Sequence, residues 1–110
     1  MDKNRALAAF AALSQSSRLD AFRLLIKAGR TGMAAGEISG ALGVKQNTMS
    51  ANLSLLFQAG LVRTIREGRS IRYFADMDGL RAMLAFLMED CCGGDPDLCR
   101  PVLDALACEV

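Results

Sequence analysis

From residue 3 to residue 60, apolar side chains recur every three or four positions, the period of helices that each turn one face to a core. Residues 3–14 are rich in Ala and Leu and set Leu7, Phe10 and Ala11 at helical spacing. Ser16 or Ser17 can cap a second helix to about Ala28, with Leu19, Phe22, Leu25 and Ile26 on one face. Gly29 sits where such a helix ends. After a loop over 30–34, a short helix over about 35–42 turns Ile38 and Leu42 inward, and Gly43-Val44 breaks it. A further helix over about 46–59 places Met49, Leu53 and Leu56 at i, i+4 and i+7, and Gly60 ends it.

The period then changes. Val62, Thr64, Ile65 and Ile71 fall in one short stretch with Tyr73 and Phe74, and Glu67-Gly68-Arg69 divides it, which predicts a β-hairpin. Residues 78–90 return to helix, with Leu80, Met83, Leu84, Leu87 and Met88 on a broad apolar face. Gly93-Gly94 and Pro96 interrupt it, and a short tail helix is expected near 101–108. There is no internal repeat and no linker.

A short helix, a tight Gly turn, a second amphipathic helix and a hairpin form the layout of a winged helix–turn–helix. In that layout the first helix braces the second, whose outer face must fit a major groove about 12 Å wide. Here that outer face is expected to hold Gln46, Asn47, Thr48, Ser50, Ala51, Asn52 and Ser54. Amides can bond adenine bidentately, and hydroxyls suit phosphates or either base. Ordinary solvated helices carry Lys and Glu, whereas residues 46–59 carry no charge at all. The hairpin supplies the cations: Arg63, Arg66, Arg69 and Arg72, opposed only by Glu67.

Charge distribution sharpens this. The formal net charge is +1, which by itself suggests no polyanionic partner. Residues 1–75, however, hold eleven Lys/Arg against four Asp/Glu, and residues 76–110 hold two against eight. One part is basic and the other acidic. At 110 residues, 52% hydrophobic and 23% charged, the chain is one small globular core-former. No apolar run approaches the roughly 20 residues that span a bilayer. The short apolar stretch Leu7–Leu13 reads as an amphipathic helix rather than a leader, so a cytoplasmic location and no membrane partner are expected. Histidine is absent, which excludes imidazole-based catalysis and imidazole metal ligands. No organic cofactor and no enzymatic activity are expected.

Ser17-Arg18-Leu19 through Leu24-Leu25, Glu37-Ile38 through Ala41-Leu42-Gly43-Val44, Gln46-Asn47-Thr48-Met49-Ser50 with Leu53 through Leu56, Ala59-Gly60-Leu61-Val62, and Glu67-Gly68-Arg69 to Tyr73 occur in order. Together they resemble the ArsR/SmtB family over about residues 5–90. The resemblance implies a dimeric winged-helix repressor that leaves operator DNA on binding a metal ion or another signal. The chain departs from the family in reading Ala51-Asn52 where Arg-His is common. It also lacks thiols over Met33–Glu37, and it has no His for the zinc site that some members carry on the C-terminal helix.

All four cysteines, Cys91, Cys92, Cys99 and Cys108, lie in the last fifth of the chain. Adjacent residues on a helix diverge by about 100°, so Cys91 and Cys92 can share one ion only where the helix ends. Gly93-Gly94 permits that bend, and a turn at Pro96 can bring Cys99 back. Three thiolates without a nitrogen ligand suit a soft, thiophilic centre: As(III) best, with Sb(III) and bismuth as close rivals. Cys108 falls outside this set. Buried small hydrophobes or a redox switch are the other readings of these thiols.

The expected fold is mainly α with one two-stranded wing. Residues 1–90 would form the DNA-binding and dimerisation domain, and 91–110 a sensory segment of it. The apolar faces of 3–14 and 78–90 exceed what so small a domain buries alone, so a homodimer through both is expected. The expected DNA contacts are Lys45, Gln46, Asn47, Thr48, Ser50, Asn52, Arg66, Arg69 and Arg72; the expected ligands of As(III) are Cys91, Cys92 and Cys99. Competing readings are a winged-helix regulator that senses oxidant or another soft metal, and a thiol metallochaperone without DNA affinity.

Overall fold

Asp2 starts the first helix: its carboxylate accepts from the Arg5 N–H at 2.8 Å, which satisfies one otherwise orphaned donor of the first turn. From there the computed structural model, which describes residues 1–89 and 95–106, runs through six α-helices and three strands among those residues. These are α1 (Lys3–Leu13), α2 (Ser16–Ala28), β1 (Met33–Ala34), α3 (Ala35–Leu42), α4 (Gln46–Gln58), β2 (Val62–Glu67), β3 (Ser70–Ala75), α5 (Met77–Leu87) and α6 (Pro96–Leu106). A single 3-10 turn, Gly29–Thr31, joins α2 to β1.

The core forms where α2, α3 and α4 meet the root of the sheet. Ala21, Phe22 and Leu25 from α2, Ile38 from α3, and Met49, Leu53 and Leu56 from α4 are buried together with Leu61, Val62, Ala75 and Met83. Helix α1 joins through small residues: Ala6, Ala9 and Ala12 are its buried positions. Leu7 and Phe10 point the other way, with Leu7 55% exposed. Leu87 on α5 is 61% exposed, and Leu98, Val102, Leu103 and Leu106 on α6 are exposed too. Leu7 and Phe10 on α1 and Leu87 on α5 lie on the faces that the sequence assigns to a second copy; the exposed residues of α6 lie outside them.

Three details differ from the sequence reading. Gln15, not Ser16 or Ser17, caps α2: its Oε1 accepts from the Arg18 N–H at 2.9 Å and from the Ser17 hydroxyl at 2.8 Å. The wing hairpin gains a third strand, because Met33 and Ala34, expected in a loop, pair with Tyr73 and Arg72 in the order β1-β3-β2. Gly32, at φ 63°, lets the backbone pass so close to the wing that a Cβ there would lie 2.6 Å from Phe74 Cε1. The tail helix begins at Pro96 rather than near residue 101. Asp95 caps it by accepting from the Asp97 N–H at 3.0 Å, and Pro96 fills the first helical position, where its missing N–H costs nothing. Among the described residues no helix is long and apolar enough to cross a membrane.

Helix α5 is locked to the turn after α4. The Asp76 N–H donates to the Leu61 carbonyl at 2.8 Å, and the Asp76 carboxylate accepts from the Asp78 and Gly79 N–H groups at 3.1 Å each. Gly79 packs so tightly on the Gly60 carbonyl that any Cβ would overlap it. Ala normally outperforms Gly inside a helix by about 0.5–1 kcal/mol. Gly79→Ala should do the reverse and cost about 1–3 kcal/mol by overpacking. Gly40→Ala in α3, where a Cβ meets nothing within 4 Å, should stabilise. Paired thermal melts of the two variants check the opposite signs.

Candidate nucleic-acid interface

Helix α3 is set by its two ends. Glu37 Oε1 accepts from the Ala34 N–H at 2.9 Å at the start, and Gly43 adopts a left-handed φ of 66° at the finish. The left-handed residue turns the chain sharply, so that α4 starts at Gln46 after only Val44 and Lys45. Lys45 is exposed at the N-terminus of α4, where a cation is not matched to the helix dipole but is well placed for a phosphate.

Met49, Leu53 and Leu56 are fully buried, and this fixes which side of α4 faces out. Gln46, Asn47, Thr48, Ser50, Ala51 and Ser54 are exposed, as the sequence predicted. Asn47 Oδ1 accepts from the Thr48 N–H at 2.8 Å, which tethers one half of its amide within the first turn. Asn52 corrects the sequence reading. It is 6% exposed, and its Nδ2 donates to the Ser17 hydroxyl oxygen at 3.0 Å, so it faces α2 rather than DNA. The reason is periodicity: 49, 52, 53 and 56 form one continuous helical stripe. Its amide chemistry, not its position, suggested the outer face.

The wing is regular from Val62↔Ala75 to Glu67↔Ser70, closed by Gly68 at φ 61° and Arg69. Four arginines three residues apart cannot share one face of a ribbon whose side chains alternate every residue. Arg66 and Arg69 are exposed near the tip. Arg63 instead lies over the Phe74 ring, 4.4 Å from its centroid. Arg72 has partners that the sequence does not reveal. Its Nη1 donates to the Gly32 carbonyl at 3.1 Å and approaches Glu37 Oε1 at 3.4 Å, while its Nε lies 3.3 Å from Glu67 Oε1. With its side chain 29% exposed, Arg72 ties the wing to the start of α3 instead of reaching outward. Among the described residues, Lys45, Arg66 and Arg69 have no carboxylate partner, so their charge is available to a polyanion.

Between α4 and the wing runs a groove of about 200 Å³ lined by Ser50, Leu53, Ser54, Phe57, Thr64 and Tyr73. Thr64 and the exposed Phe57 were not singled out from sequence, since a lone Thr on a strand and a Phe on an apolar helix carry no distinguishing signal. Of the expected thiolate ligands, Cys99 is 2% exposed on α6, in the first turns of a helix rather than after a turn at Pro96. Cys91 and Cys92, with Cys108, lie outside the described residues.

Residues 13–65 match a family described as a helix-turn-helix domain. The homodimeric winged helix-turn-helix DNA-binding domain Mb0332 (fragment 1–100) of Mycobacterium bovis, a possible ArsR-family transcriptional regulator, is 30% identical. The match covers 79% of this chain and 80% of that one, with a TM-score of 0.65. This chain belongs to the ArsR family. Two further solved structures are similar to this ArsR-family chain. An ArsR-like transcriptional regulator from Rhodococcus sp. RHA1 is 27% identical over 97% of this chain and 96% of its own, with a TM-score of 0.69. HlyU from Vibrio cholerae N16961 is 28% identical over 84% and 99%, with a TM-score of 0.64. No curated protein matches the sequence.

For this ArsR-family chain the two kinds of arginine separate experimentally. Arg69→Ala should weaken binding to all duplexes about equally and lower the slope of log affinity against log salt by about 0.9. Arg72→Ala should instead lower the melting temperature, since it removes the bond to the Gly32 carbonyl and the two ion pairs that join the wing to α3. Salt-series titrations beside thermal melts check both.

Proposed function

We propose that the protein is a homodimeric transcriptional repressor that holds operator DNA through α4 and the wing and releases it when As(III) binds Cys91, Cys92 and Cys99. The observation that carries the DNA part is the pairing of two surfaces. One is a recognition helix whose exposed positions over residues 46–54 are amides, hydroxyls and one alanine, with no charge; the other is a wing tip whose Arg66 and Arg69 lack carboxylate partners among the described residues. Amides and hydroxyls read base edges, while unpaired guanidiniums hold phosphates. The dimer part is supported by the exposed apolar faces of α1 and α5 and by the homodimeric M. bovis relative. Two recognition helices in such a dimer would address half-sites about 34 Å apart.

The inducer reading rests on donor chemistry. Three thiols on As(OH)₃ give three As–S bonds and three waters, and such a set with no nitrogen ligand favours trivalent arsenic, with Sb(III) close behind. Residues 91–110 then act as the sensory segment of the same domain. For arsenite to release DNA, it must bind the weakly binding conformer more tightly, on the usual scale of about 5- to 150-fold.

A titration of a palindromic operator at fixed salt, with and without arsenite, tests the proposal. Arsenite should weaken binding at least fivefold. Cys91→Ser, Cys92→Ser and Cys99→Ser should keep DNA affinity and lose the response, and Cys108→Ser should keep both. Release by peroxide, cadmium or zinc but not arsenite reassigns the signal. Absence of binding to any duplex overturns the regulator reading.

A further inference from the structure

Asn52 and Ser39 are the buried polar residues among those described, and only Asn52 sits on the recognition helix. Its amide is the α4 end of a set of hydrogen bonds that meet at the cap of α2. Asn52 Nδ2 donates to Ser17 Oγ at 3.0 Å, and the Ser17 hydroxyl donates to Gln15 Oε1 at 2.8 Å. The Arg18 N–H donates to that same Gln15 oxygen at 2.9 Å, and Arg18 Nε donates to the Ala12 carbonyl at 2.7 Å, one residue before the end of α1. The path therefore crosses from the middle of α4, through the cap of α2, to the end of α1. The links Asn52 to Ser17 to Gln15 run head to tail, and the Arg18 N–H converges on the same Gln15 oxygen, so the bonds meet at the cap of α2.

The rest of the seat of α4 is apolar. Met49, Leu53 and Leu56 press on α2 and α3 through contacts that are strong but non-directional, and similar packings remain open if the helix rolls or slides a little. The amide is different. A roll of α4 that takes Asn52 Nδ2 out of reach of Ser17 leaves a polar group buried without its partner, which is costly. A single directional bond on an otherwise greasy face is a register device.

We propose that Asn52 and Ser17 are a positioning pair: they fix the roll of the recognition helix against the α1–α2 junction and thereby set which operator half-site separation the dimer accepts. The proposal rests on the DNA-binding dimer read above. Helix α1 carries Leu7 and Phe10 outward, on the face assigned there to the partner copy. Whatever fixes α4 relative to α1 thus fixes it relative to the second recognition helix.

The test compares wild type with Ser17→Ala, Ser17→Thr and Asn52→Leu in the full-length dimer. The first readout needs no DNA: hydrogen exchange of the α4 amides should be about tenfold faster in Ser17→Ala and near wild type in Ser17→Thr. The second uses palindromic duplexes that differ only in spacer length. Wild type should show a sharp optimum. Ser17→Ala and Asn52→Leu should flatten or shift it by about tenfold in relative affinity, with the salt slope and the dimer unchanged. A merely structural bond would lower affinity for every spacer alike, and that result overturns the proposal. So does an unchanged exchange rate in Ser17→Ala. An altered base preference at wild-type spacing in Asn52→Leu would make Asn52 a direct reader and overturn it as well. If wild type binds no duplex, the regulator reading fails, and the exchange data alone then decide whether the pair positions α4.

Discussion

Complete burial of Met49, Leu53 and Leu56 against α2 and α3 is the constraint from which the working surface follows. Once those three side chains are inside, the period of the helix leaves Gln46, Asn47, Thr48, Ser50 and Ser54 no choice but to face out. The tight exit from α3 at Gly43 is what places that stripe over the core, because it leaves only Val44 and Lys45 before α4 begins. The outer face can therefore forgo charged residues: its orientation is imposed from below, and it needs no surface ion pairs to hold its shape.

The wing is held by a different kind of force. Its tip projects from the body, so packing cannot restrain it along its length. Arg72 compensates by collecting the Gly32 carbonyl, Glu37 and Glu67 around one guanidinium, which joins two strands and the start of α3 at a single point. The planar, multiply donating head of Arg suits this role in a way that Lys does not. Phe74, covered by Arg63 on one side and crowded by Gly32, seats the root of the same ribbon.

Helix positions were legible in the sequence wherever apolar residues recur at helical spacing, as in α2, α4 and α5. The hairpin was legible from the cluster of β-branched and aromatic residues around Glu67-Gly68-Arg69. Strand β1 was not, since two residues, Met33 and Ala34, carry no period; only the edge of β3 makes them a strand. The partners of Asn52 and Arg72 were hidden in the sequence for one shared reason. Side-chain chemistry says what a residue can bond, and tertiary structure decides with whom. An amide fit for adenine bonds a serine instead, and a guanidinium fit for phosphate bonds two glutamates. Pro96 carried the same ambiguity, since a turn former after Gly-Gly is equally a good first residue of a helix once Asp95 precedes it.

The anchor at Arg72 bears on how phosphate contacts are counted. Its two carboxylate pairs are partly open to solvent, so added electrolyte screens them together with any guanidinium–phosphate pairs at the tip. Raising ionic strength then loosens the ribbon that delivers the contacts while it weakens the contacts themselves. An ion-release stoichiometry taken from one salt series therefore overcounts the phosphates touched. Differences between chains that share the intact anchor cancel the ribbon's part and leave the true count.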